Sequence, residues 1–195
     1  HKNIEGFVKG YLSRLLDILK GLDIEQIKSF AEILERMRNE DRTIFIAGNG
    51  GSAATASHIT NDFGVDVRKY AGTNRSFRVV SLTSCVPSML AIANDESYES
   101  IFVNQLAVLF RPGDAFWGIS ASGNSPNIVK AAKWAKKNGG IVLAFTGFDG
   151  GKLMTLADAA IHVSTPKGDF GHVEDVHMAM NHLLANWFAQ YLKEK

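Results

Sequence analysis

In the stretch FIAGNGGSAATASHITNDFG, His58 and Asp62 are four residues apart, so a helix there puts an imidazole and a carboxylate on one face. Such a pair can shuttle protons, hold a cation or form an ordinary surface ion pair. The preceding segment bears on the choice, because an apolar run passes into Gly48, Asn49, Gly50, Gly51 and Ser52, where glycines permit close approach to the backbone. The GNGG run lacks the lysine of a Walker loop and the spacing of a dinucleotide fingerprint, so no nucleotide cofactor is expected. A second segment, ISASGNSPNIV, sets Ser120, Ser122 and Ser125 ahead of Pro126. Ser125 is expected to cap a helix with proline at its favoured first position. Neutral hydroxyls beside a helix N-terminus suit a phosphate monoester; the plain alternative is a serine-rich turn.

The elements that must position these groups are two helices followed by alternating strand and helix. Ile4, Phe7, Val8, Tyr11, Leu12, Leu15, Leu16 and Leu19 keep helical spacing. A second helix opens at Asp23, with Gln26 at the reciprocal capping position, and turns Ile27, Phe30, Leu34 and Met37 inward. Short apolar runs at residues 44–47, 78–82, 115–119, 141–145 and 159–163 are strand-length and mostly separated by helical stretches. The expected class is α/β, with one domain over residues 1–195, a mostly parallel five-stranded sheet in residues 41–195 and two leading helices in residues 1–40. A last helix over about 173–192 carries Met178, Leu183, Leu184, Trp187, Phe188 and Leu192, read mainly as core. Ligands in such sheets bind at the carboxyl ends of strands, where both loops fall. Ser84, Asn94 and Asp95 follow the second strand.

Composition narrows the classes further. The 21 basic and 20 acidic side chains nearly cancel, which argues against a nucleic-acid surface, and no basic arm flanks the domain. One cysteine, Cys85, excludes an internal disulfide framework. No run approaches the roughly 18 apolar residues of a membrane span, and no signal peptide is recognisable, so a cytoplasmic protein is expected. The chain opens at His1 rather than methionine, as a tag remnant or trimmed start would.

Five motifs in order, AGNGGSAA with its following His and Asp, LTS with AIANDESY, GISASGNSPNIVKAA, LAFTGFDGGKL and VEDVHMAMNHLL, resemble the sugar isomerase (SIS) domain family, specifically its phosphoheptose isomerase branch. The likeness runs from about Asn3 to the C-terminus. It implies conversion of sedoheptulose 7-phosphate to D-glycero-D-manno-heptose 7-phosphate, a step toward heptose of surface polysaccharide such as lipopolysaccharide. It also implies a homotetramer with active sites between subunits. Carried over by position, the substrate contacts fall on Asn49, Gly50, Gly51, Ser52, Asn94, Asp95, Ser120, Ala121, Ser122, Ser125 and Glu174. The acid/base pair falls on Asp62 and His182, and the metal positions, with zinc as the expected ion, on His58, Asp62, Glu174 and His182. Glu174 and His182 are eight residues apart, about 12 Å of helix rise. Both reach one ion only through extended side chains, an irregular helix start or another subunit. His172 and His177 compete for a role, and His177, five residues from His182 and on a different helical face, is read as structural.

The chain departs from the branch at four places: Asp62 stands for a glutamate, Glu174 for a glutamine, Ala121 for a hydroxyl residue and Cys85 for an aspartate. Isomerisation of another phosphosugar is one alternative. A non-catalytic SIS-type adapter that binds a replication initiator, or a phosphosugar-sensing regulator, is another. The adapter branch does not keep both an acid and a histidine at the positions of Asp62 and His182.

Overall fold

A computed structural model describes residues 3–195; His1 and Lys2, and with them the reading of the chain start, lie outside the described residues. The elements are α1 (Ile4–Lys20), α2 (Ile24–Asn39), β1 (Thr43–Gly48), α3 (Gly51–Asn61), α4 (Val67–Ala71), β2 (Arg78–Ser81), α5 (Val86–Asp95), α6 (Val103–Leu109), β3 (Ala115–Ser120), α7 (Pro126–Lys137), β4 (Ile141–Phe148), α8 (Gly151–Leu156), β5 (Ala159–Ser164) and α9 (Phe170–Glu194). The five strands form one sheet in the order β2-β1-β3-β4-β5, and every pairing is parallel.

Alternation along each strand sends side chains to two cores. Ile44, Ile46, Trp117, Leu143 and Phe145 pack beneath α2, α3 and α9, whereas Phe45, Ala47, Phe116, Val142 and Ala144 face α6, α7 and α8. Both faces are therefore covered, as parallel sheets require. The order reverses between β1 and β3, so the loops leaving these two strands open a crevice where the chain turns to opposite faces.

Asp23 caps α2 as expected, accepting from the Glu25 and Gln26 amides. Gln26 does not reciprocate; its Oε1 accepts the His162 N–H at 3.0 Å, a bond that ties α2 to β5. The last helix begins three residues earlier than the apolar pattern indicates. Leu184 and Phe188 are buried, but Leu183 and Trp187 are exposed, because they flank a groove against α2 rather than the sheet. None of the residues of α1 is buried. That helix is fastened to α9 through Tyr11 Oη donating to Asp175 Oδ2 at 2.6 Å, Arg14 paired with Asp169, and Tyr11 stacked on His172 with centroids 3.9 Å apart. Among the described residues no helix is long and apolar enough to cross a membrane.

Candidate functional site

The glycine loop and the serine loop leave adjacent strands at one level, since Gly48 on β1 pairs with Ile119 on β3. Gly50 has φ 55° and ψ −123°, a conformation closed to side-chain-bearing residues, and it starts α3. A Cβ at Gly48 would lie 2.4 Å from the Ser52 carbonyl oxygen, which explains how Ser52 tucks under the loop and is buried. The loops are tied together by amides. Asn49 Nδ2 donates to Asn127 Oδ1 at 3.0 Å, Asn127 Nδ2 donates back to Asn49 Oδ1 at 2.9 Å, and Tyr98 Oη donates to the same Asn49 oxygen at 2.9 Å. A cavity of about 460 Å³ opens here, lined by Asn49, Gly50, Ala53, Thr83, Met89 and Tyr98 among others.

In the serine loop, Ser120 and Ser125 hydroxyls are 3.1 Å apart, and Ser122 Oγ accepts the Asn124 N–H at 3.2 Å. Ser125 stands at the start of α7 but makes no side-chain cap, because its hydroxyl is turned to Ser120; Asn127 Oδ1 accepts the Ile128 N–H instead. Ala121 is buried and its carbonyl accepts from Gly147, so the missing hydroxyl leaves a scaffold position. Asn94 and Asp95 end α5 exposed and bonded to each other, Asn94 Nδ2 donating to Asp95 Oδ1 at 2.8 Å. They do not line the 460 Å³ cavity.

The second group forms where α3 meets α9. Asp62 Oδ2 is 3.3 Å from His58 Nε2 and 3.9 Å from His182 Nε2, and the two imidazole nitrogens are 3.2 Å apart. The histidine side chains are about half exposed, whereas Asp62 is largely buried. From Asp62 to Asp66 the backbone widens into a π-turn, and Ser76 Oγ donates to the Phe63 and Gly64 carbonyls there. Such single wide turns recur at functional sites, and the helical spacing of the sequence held no sign of this one.

His58, Asp62 and His182 bring one ligand atom each within 4.8 Å of one another, the group of this kind found among the described residues. Two neutral nitrogens and one carboxylate oxygen are donors that a divalent zinc-like ion accepts, with a fourth position left open. The imidazole nitrogens, 3.2 Å apart, face one another as two ligands of one ion would. Glu174, the fourth residue of the expected ligand set, lies outside this cluster within the single chain. Its carboxylate lies against the start of α3, where a Cβ on Gly51 would come within 2.3 Å of it, so it stands apart from the cluster. The two helices run side by side, with Glu174 level with Gly51 and His182 level with His58; the eight-residue rise therefore keeps Glu174 away within one chain.

Asn181 went unnoticed in the sequence. It is fully buried and its Nδ2 donates to Asp62 Oδ2 at 2.6 Å. A polar residue inside an amphipathic helix carries no signal of its own, and only the fold shows what it faces. His177 is structural, as expected: it is buried, stacked 5.2 Å from Phe145, and its Nε2–H donates to the Thr146 carbonyl at 3.1 Å. His172 likewise packs between Asp169 and Tyr11.

Residues 9–147 match the family model described as SIS domain. The phosphoheptose isomerase of Thermodesulfovibrio yellowstonii is 37% identical over 172 residues, covering 88% of this chain and 83% of that protein. That of Clostridium acetobutylicum is 35% identical over 184 residues, covering 94% and 91%. The structure of phosphoheptose isomerase GmhA from Neisseria gonorrhoeae superposes with a TM-score of 0.85 at 27% identity, over 95% of this chain and 98% of that one. The loops at the switch point and the matches over nearly the whole chain agree, and the chain belongs to the SIS domain family, in its phosphoheptose isomerase branch.

Proposed function

We propose that the chain interconverts a ketose phosphate and an aldose phosphate, with sedoheptulose 7-phosphate and D-glycero-D-manno-heptose 7-phosphate as the pair. The relatives named phosphoheptose isomerase support the reaction. The observation that carries the chemistry is the convergence of Asp62, His58 and His182 at a half-open surface.

The reaction removes a proton from the carbon beside a carbonyl, passes through an enediol and returns a proton to the neighbouring carbon. One base and one acid suffice, and Asp62 and His182 are the pair. Ser120, Ser122 and Ser125 would hold the phosphate, with hydrogen bonds from the serine-loop backbone, while Asn49, Gly50, Gly51 and Ser52 set the neighbouring wall. Asn94, Asp95 and Glu174 would meet sugar hydroxyls. Zinc, when bound, would supply Lewis-acid polarisation of the sugar carbonyl. His58, Asp62 and His182 would hold it, and Glu174 would join only from another copy of the chain. The half-exposed histidines and the exposed apolar face of α1 support a homotetramer with sites completed between subunits. A cytoplasmic enzyme supplying heptose for surface polysaccharide is consistent with this chemistry.

The test is a panel of five-, six- and seven-carbon ketose phosphates, with the aldose product identified by chromatography. Selective conversion of the seven-carbon substrate is expected; conversion of none would overturn the proposal. Elemental analysis after purification without a metal-affinity step tests the ion. Near-stoichiometric zinc that is lost in His58→Ala is expected, whereas unchanged metal content in that variant, with full activity after chelation, would reject it.

A further inference from the structure

Asn181 immediately precedes His182 on α9 and is fully buried. Its hydrogen-bonding is lopsided. Nδ2 makes the 2.6 Å bond to Asp62 Oδ2 and a long 3.9 Å contact with Met178 Sδ, while Oδ1 is buried with no hydrogen-bond partner. An amide oxygen stripped of water without a replacement partner weakens a fold, and a leucine of similar shape would avoid that cost. Turning the amide around would be worse, since it would set two oxygens against each other. Departures of this kind from good packing chemistry concentrate where function requires them.

The bond also falls on a particular atom. Asp62 Oδ2 is the oxygen that faces both His58 and His182, whereas Oδ1 has a contact with Asn61 Nδ2 at 3.4 Å. Asn181 therefore approaches the working oxygen from the buried side and leaves its other lone pair toward the histidines. The terminal torsion of an aspartate is broad and two-fold, so this carboxylate would swing if nothing held it. Here the side chain is too short to have slack: a proton-transfer group has to reach within roughly 2.6–3.2 Å of its proton.

We propose that Asn181 is a positioning residue for the isomerisation. It pins the Asp62 carboxylate in the orientation that addresses His58 and His182, and it touches no reacting atom itself. The inference rests on the reading of Asp62 as half of the acid/base pair.

The test is Asn181→Leu, assayed and crystallised beside the wild type. Because a misplacement of about 1 Å can cost on the order of 100-fold in rate, kcat should fall by roughly 10- to 100-fold while KM changes by less than about 2-fold. The crystal structure should show the Asp62 carboxylate rotated off its place beside His58. In an Asp62→Asn background, Asn181→Leu should cost no further turnover. Unchanged kcat, an unmoved Asp62, or losses that multiply in the double variant would overturn the proposal. Should the leucine variant fail to fold, Asn181→Ala enters the same cycle. If the wild type isomerises no phosphosugar, the functional reading fails, and the position of Asp62 in the variant crystal still decides whether Asn181 holds it.

Discussion

In the proposed reaction the chemistry turns on Asp62 and binding on the serines, so the two should fail differently. Asp62→Asn keeps the shape and a hydrogen-bonding group but removes the proton acceptor; kcat should drop by about 100-fold or more, with KM little altered. Ser122→Ala removes one neutral hydrogen bond worth about 1 kcal/mol, so KM should rise several-fold at nearly constant kcat. Steady-state kinetics of the two variants provide the check, and a wild-type kcat in Asp62→Asn rejects the acid/base assignment. At this scale the sequence was readable where local geometry decides. His58 and Asp62 meet because four residues make a turn. Glu174 and Asn181 were beyond it, because their neighbours are set by how α9 lies along α3, a long-range docking that leaves no mark in spacing.

At the scale of elements, the loops were legible because glycine and serine clusters at strand ends have few other uses. The order of the strands was not, yet it is the reversal between β1 and β3 that sets the glycine loop and the serine loop on adjacent strands. The expected cap by Ser125 failed for a local reason, since a hydroxyl partner at Ser120 lay within 3.1 Å. The seating of α9 on β4 has its own titration signature. Burial pushes the His177 imidazole down to about 4, and the bond to the Thr146 carbonyl offsets only part of that effect. In the unfolded chain this histidine takes up a proton near pH 6.5, while in the fold it stays neutral until about pH 4. Stability is therefore lost as pH falls from about 6.5 to about 4, by roughly 3 kcal/mol from this group, and no further below. Urea denaturation midpoints at pH 7 and pH 4.5 should diverge in the wild type and lie closer together in His177→Gln. Equal pH dependence in the two proteins would contradict this account.

For the molecule as a whole, α1 poses the clearest problem of burial. Ile4, Val8, Leu12 and Leu16 are exposed, and Phe7, packed against Tyr11, is about half exposed, yet the helix is pinned to α9 by polar contacts. An apolar stripe of this length calls for a covering surface. Periodicity made the stripe visible in the sequence, but the polar latch from Tyr11 and Arg14 to α9 was not, because its acids lie more than 150 residues away. If the proposed tetramer covers this stripe, removing residues 1–22 should dissociate it and abolish isomerisation together while the loops remain intact. Light scattering paired with an activity assay reads both; an active monomer would reject the shared site.

The central claim is that Asp62 and His182 move a proton between neighbouring carbons of a sugar phosphate. The direct measurement is turnover of sedoheptulose 7-phosphate in deuterated water, followed by nuclear magnetic resonance of the aldose. Deuterium at carbon 2 of the product, absent in Asp62→Asn, is the predicted result. Product formed with no solvent deuterium at that carbon, or labelling that persists undiminished without the Asp62 carboxylate, would contradict the acid/base route described here.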